Sequence, residues 1–435
     1  MAVFMEKTTR KNSKNSSKPS SQTGKDESAK TRVGGKSKGL SQNNQQSNNT
    51  RTKVTIKKIK VVDCETCGED LSKTKCDKHE RRTIIDIIFE KKVTHFDSEI
   101  KTCVNCGEQT KGRFPGGVSG PLQYGAGIKA YMLNMLIAHM MSLNRIQKLV
   151  KTIINQVISE ATMLKYVLQL HLALENWEKT AINQLLNSPA IHVDETSMRV
   201  DKKNHWIHVY SSGNVTLKFL QPGRGIEAIE NIGIIPRYNG VIIHDCLAAY
   251  LSYNHCKHGL CGSHLLRELT FIVDSNGYKW ASNMKSLLSE TCKIVSKREE
   301  KILTESEYKN VQKRYRNILT RGEKELPPIP KRIKGQRGRI AKTDAQNLWE
   351  RLKEHEEAVL LFAKDPDVAF TNNRAERDLR MSKVKQKVSG CFRSGQFAKA
   401  YCRISSYLQT MANEGYNPLV AIQLALSGKL YAKMG

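Results

Sequence analysis

The sequence lacks any run approaching ~18 uninterrupted apolar residues, so nothing in it reads as a membrane span. The N-terminal stretch MAVFMEKTTRKN lacks the apolar core of an export signal. Acidic residues are scarce: 42 Asp and Glu face 71 Lys and Arg, a formal charge of +29. That imbalance points to a polyanionic partner, nucleic acid before a membrane surface. A passive RNA-binding role would carry the same charge, so charge by itself names no activity. Residues 1–60 lack apolar periodicity and hold 15 Lys and Arg against three acids. Such a segment cannot offset its ordering entropy by burial and reads as a disordered basic arm, or as a plain solubilising tail. The eleven cysteines are odd in number and come without an export signal, which favours reduced thiols and metal ligands over disulfides.

Within residues 61–113, Cys64-Glu-Thr-Cys67-Gly68 is matched by Cys103-Val-Asn-Cys106-Gly107, 36 residues further on. Two Cys-x-x-Cys pairs suit tetrahedral zinc, and a glycine after each pair lets the backbone turn so that amides face the sulfurs. Short strands are expected between them at Thr83–Phe89 and Lys92–Phe96. Cys76 and His79 lie in the same interval and are either spare or replacement ligands. Spacing leaves open whether this finger touches DNA or only supports the fold.

A Gly- and Pro-rich linker, Phe114–Gly127, precedes a helical region at 128–187. Helices are expected at Ile128–Ser142, from Leu143 to about Ile154, and a third capped by Ser159 with Glu160 in its first turn. This is helix-turn-helix spacing, which puts the third helix in a major groove, although any three-helix unit shows the same pattern.

Beyond it, Ile191 and Val193 alternate with His192 and Asp194 in the manner of a half-buried strand ending on a carboxylate. A return strand is expected at Trp206–Tyr210, a third at Val215–Leu220, a brief helix at Ile226–Ile232, and a buried strand from Val241 to Asp245. Strand-end acids are common at turns. Two at matching strand ends nevertheless fit a ribonuclease H-like α/β core, in which paired cations ~3.5–4 Å apart are held by shared carboxylates. Side chains alternate across a strand, so Glu195 should face away from Asp194 and serve turn chemistry or support. A third acid is sought on a helix, and Phe370–Arg380 supplies Glu376 behind Asn372 and Asn373. With Asn373 as cap, Glu376 could equally be a capping-box residue. Arg374, Arg377 and Arg380 crowd the segment as a phosphate site would require, and Lys383–Arg393 continues the positive charge.

Between Asp245 and Glu376 lie 130 residues, mostly helical in pattern: Asn283–Leu303, Glu305–Thr320 and Ala345–Phe362. They read as an insertion at 275–365, interrupted by a basic stretch, Lys331–Lys342, that suits a phosphate-contacting loop. The core would then comprise 188–274 and 366–435. His264 and Arg267, three residues apart on one helical face, are placed toward a substrate phosphate. The density of His and Cys from His255 to His264 also allows a second zinc site.

Taken together, the two knuckles, the helix-turn-helix, Asp194-Glu-Thr, Asp245, Cys261-x-x-His264-x-x-Arg267 and Asn373-Arg-Ala-Glu376-Arg377-x-x-Arg380 resemble the large transposase subunit of the bacterial insertion-sequence-66 family. The resemblance runs from about Cys64 to the C-terminus. It implies a DDE transposase with Asp194, Asp245 and Glu376 as ligands of Mg2+ or Mn2+, supported by His264, Arg267, Asn373, Arg377 and Arg380. Zn2+ at Cys64, Cys67, Cys103 and Cys106 would be structural. The implied partners are double-stranded DNA of element ends and target, further copies of the chain, and accessory transposition proteins, with no membrane, in the cytoplasm at the nucleoid. Family members often begin with a leucine-rich helix, which residues 1–60 lack. The competing class is a zinc-containing DNA-binding protein without nuclease activity, for which three converging acids have no use. A structure-selective nuclease on the same core would instead cut junctions whatever their end sequence.

Overall fold

The computed structural model describes residues 54–329 and 342–429. Most of the expected basic arm, residues 1–53, and the expected loop at 331–341 lie outside the described residues. Among the described residues no helix is long and apolar enough to cross a membrane. The chain forms a mixed α/β structure.

The first paired strands, β1 (Ile100–Thr102) and β2 (Gln109–Lys111), form an antiparallel hairpin around the second knuckle. The strands expected at Thr83–Phe89 and Lys92–Phe96 do not form. Their apolar side chains have no surface to pack on: Ile84 is 96% exposed and Ile88 89%. Strand propensity without a buried face does not hold a strand.

Four helices follow: α1 (Ala126–Ile137), α2 (Leu143–Ile154), α3 (Glu160–Ala173) and α4 (Glu175–Leu186). Helix α1 stops earlier than the apolar run suggests, because Met140 takes a left-handed backbone (φ 56°) while its side chain stays buried. The Ser159 cap forms as expected, its side chain accepting from the Thr162 amide at 3.2 Å.

The central sheet comprises β3 (Ala190–Val200), β4 (Lys203–Ser212), β5 (Val215–Gln221), β6 (Val241–His244) and β7 (Lys257–Leu260), in the order β5-β4-β3-β6-β7. Strand β3 does not end at Asp194, contrary to expectation, but continues to Val200. Thr196, Met198 and Val200 are buried on the face opposite Ile191 and Val193, and Asp201 and Lys202, both left-handed (φ 48° and 60°), make the two-residue turn into β4. Strand β3 runs antiparallel to β4 and parallel to β6, which is in turn parallel to β7.

Between β5 and β6 lies α5 (Ile226–Ile232), and between β6 and β7 a single turn, α6 (Ala248–Leu251). Helix α7 (Gly262–Asn276) follows β7, and the segment expected as an insertion contains α8 (Lys279–Lys297), α9 (Glu305–Glu325), α10 (Asp344–Glu354) and α11 (Glu356–Leu360). The helix expected over Ala345–Phe362 is thus two, broken at His355. Trp280, Tyr315 and Trp349 anchor their core, with the Trp349 ring N–H donating to the Leu319 carbonyl at 2.9 Å.

The chain closes with α12 (Asn373–Ser389), α13 (Gly395–Asn413) and α14 (Pro418–Leu426). Helix α12 lies on β3 and β4, and α13 on β5. Helices α1 to α4 share one hydrophobic core with the sheet, α13 and α14, where Trp177 meets Tyr407 edge-on at 5.1 Å. Helix α3 is packed against α1, α13 and α14 and buries Met163, Tyr166, Val167 and Leu170. Helix α2 exposes Arg145, Lys148 and Lys151.

Candidate active site

Sheet register sets the first pair of acids. Strands β3 and β6 pair in parallel as Ala190 with Val241, Ile191 with Ile242 and His192 with Ile243. Continued two residues further, the same offset puts Asp194 beside Asp245. Asp245 follows directly on β6, and the next residue, Cys246, adopts a left-handed backbone (φ 75°). Sparsely populated backbone of this kind persists only where the surroundings impose it. Here the Cys246 amide donates to His244 Nδ1 at 3.1 Å, which leaves the proton on Nε2 to reach His258 Nδ1 at 3.2 Å. His258 Nε2 then donates to the Tyr253 carbonyl at 3.3 Å. Burial and the neighbouring His258 push His244 down to about 3, so it stays neutral. His258, from the histidine-rich stretch 255–264, thus helps to hold the turn that carries Asp245.

Glu376 arrives from α12. Asn372 precedes the helix, so Glu376 sits one position beyond the capping-box place, and no hydrogen bond ties its side chain to the cap backbone. Asn372, rather than the exposed Asn373, is the inward residue. Its side-chain amide donates to the Val193 carbonyl at 2.7 Å, its oxygen lies 3.0 Å from His192 Nδ1, and its backbone N–H donates to Cys261 Sγ at 3.1 Å. Gly262 completes the junction: its N–H donates to the Phe370 carbonyl at 2.7 Å, and a Cβ there would lie 2.2 Å from the Phe370 ring.

Three carboxylates therefore act on one another. Burial, followed by the Asp245 charge and, more weakly, that of Glu376, pushes Asp194 up to about 6, against a restraining amide from Glu195 and the Lys383 charge. Strand alternation turns Glu195 to the other face, where Tyr250 Oη donates to its carboxylate at 3.1 Å. Burial, then Asp245 and Asp194, push Glu195 up to about 8. Crowded, desolvated acids of this kind are what a cation would relieve.

The orientation of Glu376 is its own. Its Oε1 lies 3.6 Å from His264 Nδ1 and 3.7 Å from an Arg267 terminal nitrogen. His264 and Arg267, expected to face a substrate phosphate, both lie beside this glutamate. Among the described residues, Cys261, His264 and Glu376 form the one group of three potential ligands lying within 4.8 Å of one another. Arg377 and Arg380 are exposed on α12 with Lys383 and Lys387. Arg374 is not part of that row: it turns inward, 3.9 Å from Asp378, and donates to the Val215 carbonyl at 3.4 Å. Asp378 is itself buried and accepts from Ser211, Thr216 and Gln409.

The two knuckles form as separate, similar turns. Cys64 and Cys103 each accept at their carbonyl from Gly68 or Gly107, both left-handed (φ 74° and 72°). Amides of Cys67 and Thr66 hold the Cys64 thiol below its ordinary value, and those of Cys106 and Asn105 do the same for Cys103. The four sulfurs are not gathered into one group within 4.8 Å. Cys76 Sγ lies 3.6 Å from His79 Nδ1, at the surface.

No curated protein matches this chain. The family profile described as Transposase IS66 family matches residues 121–400, from the linker before α1 into α13. With a sheet that aligns two acids, a helix that brings the third, and a match over well over half of its length, the chain belongs to the transposase IS66 family.

Proposed function

We propose that this transposase cuts and joins DNA strands at a ribonuclease H-like core, using Mg2+ or Mn2+ held by Asp194, Asp245 and Glu376. The observation that carries the reading is the common register of Asp194, within β3, and Asp245, just past the end of the neighbouring β6, with Glu376 close enough for its charge to help raise the Asp194 carboxyl. The sheet order, with β3 central and β4 alone reversed among β3, β4, β6 and β7, is the arrangement that such a core requires. The donor set is all oxygen, as hard cations prefer. When bound, such ions activate a water or a DNA 3′-hydroxyl and offset charge building at phosphorus.

The chain supplies the remainder. Asp194 and Asp245 would hold the cation as carboxylates, Asp245 being fixed by the turn at Cys246 behind it. Glu376 would complete the oxygen set from the start of α12. Arg267, Arg377, Arg380 and Lys383 hold backbone phosphates and fix the scissile bond in line. Arg145, Lys148 and Lys151 of α2 extend the phosphate-binding surface. Zn2+ at Cys64, Cys67, Cys103 and Cys106 joins the two knuckles into one structural finger. Several copies assemble on paired element ends.

The test is cleavage and joining on a duplex carrying the element end, with magnesium or manganese. Asp245→Asn should abolish both steps while DNA binding persists. Retention of either step rules the mechanism out.

A further inference from the structure

Cys261, His264 and Glu376 have a chemistry that the magnesium site does not use. Magnesium and manganese take oxygen ligands, whereas a thiol and an imidazole on one carboxylate form a donor set for softer ions. We propose that Cys261 Sγ, His264 Nδ1 and Glu376 Oε1 form a second metal site, for a thiophilic divalent cation of the zinc class, next to the oxygen-lined position of Asp194 and Asp245.

Three observations converge on it. The three ligand atoms all lie within 4.8 Å of one another. His264 Nδ1 and Glu376 Oε1 are both buried and both lack a hydrogen-bond partner, though they face each other at 3.6 Å. A simple ion pair would close that gap, whereas two ligands of one tetrahedral ion, each about 2.0–2.2 Å from it, belong at roughly this separation.

Local structure makes the set rigid. Cys261 caps α7, His264 is in the first turn of the same helix, and Glu376 is in the first turn of α12. The Asn372 N–H to Cys261 Sγ bond and the contact of Gly262 with Phe370 lock the two helix starts together. Three protein ligands leave a fourth position open to water or a phosphate oxygen, as in exchangeable zinc sites. Arg267 reaches the same carboxylate oxygen, but its side chain is largely exposed and free to swing away.

Cobalt(II) reports the site in the full-length chain, since a bound thiolate gives it a charge-transfer absorption. A chain with Cys64, Cys67, Cys103 and Cys106 replaced by serine should still bind one equivalent of cobalt with that absorption. Adding Cys261→Ser should remove it, and His264→Gln should weaken cobalt binding by more than about tenfold. Absence of the absorption from the four-serine chain, or its survival in Cys261→Ser, overturns the proposal. Should the four-serine chain fail to fold, zinc content is compared between the unaltered chain and Cys261→Ser alone. One equivalent less supports the site, and equal content overturns it. Cobalt binding is read without DNA, so its failure leaves the strand-cleavage reading standing, and failure of cleavage leaves this site standing.

Discussion

The side-chain amide of Asn372 donates to the Val193 carbonyl at 2.7 Å, joining the start of α12 to the residue before Asp194. Nearly the whole insertion lies between them in sequence, so this bond closes the candidate site across the fold. The same side chain reaches His192, and its backbone N–H reaches Cys261. Replacing Asn372 by alanine leaves a buried carbonyl unpaired, at a cost of about 1–3 kcal/mol. Urea denaturation should register that loss. Strand cleavage should fall further, by up to about 100-fold, because a small displacement of Glu376 misaligns the reacting groups. A cleavage rate that merely tracks the folded fraction would limit Asn372 to a structural role.

Acidity gives a second expectation, for the chelated protein. Asp194 is raised from an ordinary 3.8 to about 6 and Glu195 from 4.5 to about 8. In these windows the folded chain holds protons that the unfolded chain has lost. The stability they contribute is present below about pH 4 and is lost as pH rises through about 6 and then 8. Thermal unfolding with chelator should therefore show the unaltered chain losing ground from pH 5 to 8 against Asp194→Asn and Glu195→Gln. Magnesium added at pH 8 should restore part of the difference. A constant difference across that range would count against the crowded carboxylates.

The exposed row Arg145, Lys148 and Lys151 on α2 is expected to contact phosphates. Each contact removed by alanine should shallow the dependence of log affinity on log salt by about 0.9, and should weaken binding to all sequences alike. Equivalent substitution of Lys165, on the packed α3, should change the slope less. The reverse ranking would return the groove-binding role to α3.

What was legible in the sequence follows from how local each determinant is. Alternation located β3 and β5, and the apolar run Val241-Ile-Ile located β6, so Asp194 and Asp245 stood out at once. The extent of β3 was misjudged because Asp201 and Lys202 carry the turn without glycine, and a left-handed pair of such residues has no strong sequence mark. Strand β7 went unread because its Lys-His-Gly-Leu invites a metal reading, while its pairing with β6 is a long-range matter. Asn372 and Asn373 were interchangeable as caps in sequence. Only the packing of α12 on β3 turned one of them inward. Cys261 was visible in its Cys-x-x-His motif, but its nearness to Glu376 required the junction of two helix starts 111 residues apart.

The knuckles give the last expectation. Ile84, Ile85, Ile87 and Ile88 between them stand exposed. Apolar side chains in such a row call for a covering surface. Zinc shared by Cys64, Cys67, Cys103 and Cys106 would draw the knuckles together, and structural zinc contributes roughly 10 kcal/mol or more to small fingers. Bringing the ends of this loop together would then give the isoleucines a surface to pack on. Limited proteolysis with mass-spectrometric mapping should find residues 83–96 protected in the zinc-loaded chain and cut soon after chelation, while α1 to α14 stay resistant. Cys67→Ser should behave as the chelated protein even with zinc present. Identical cleavage maps with and without zinc would mean that the knuckles act apart and that no four-cysteine finger forms.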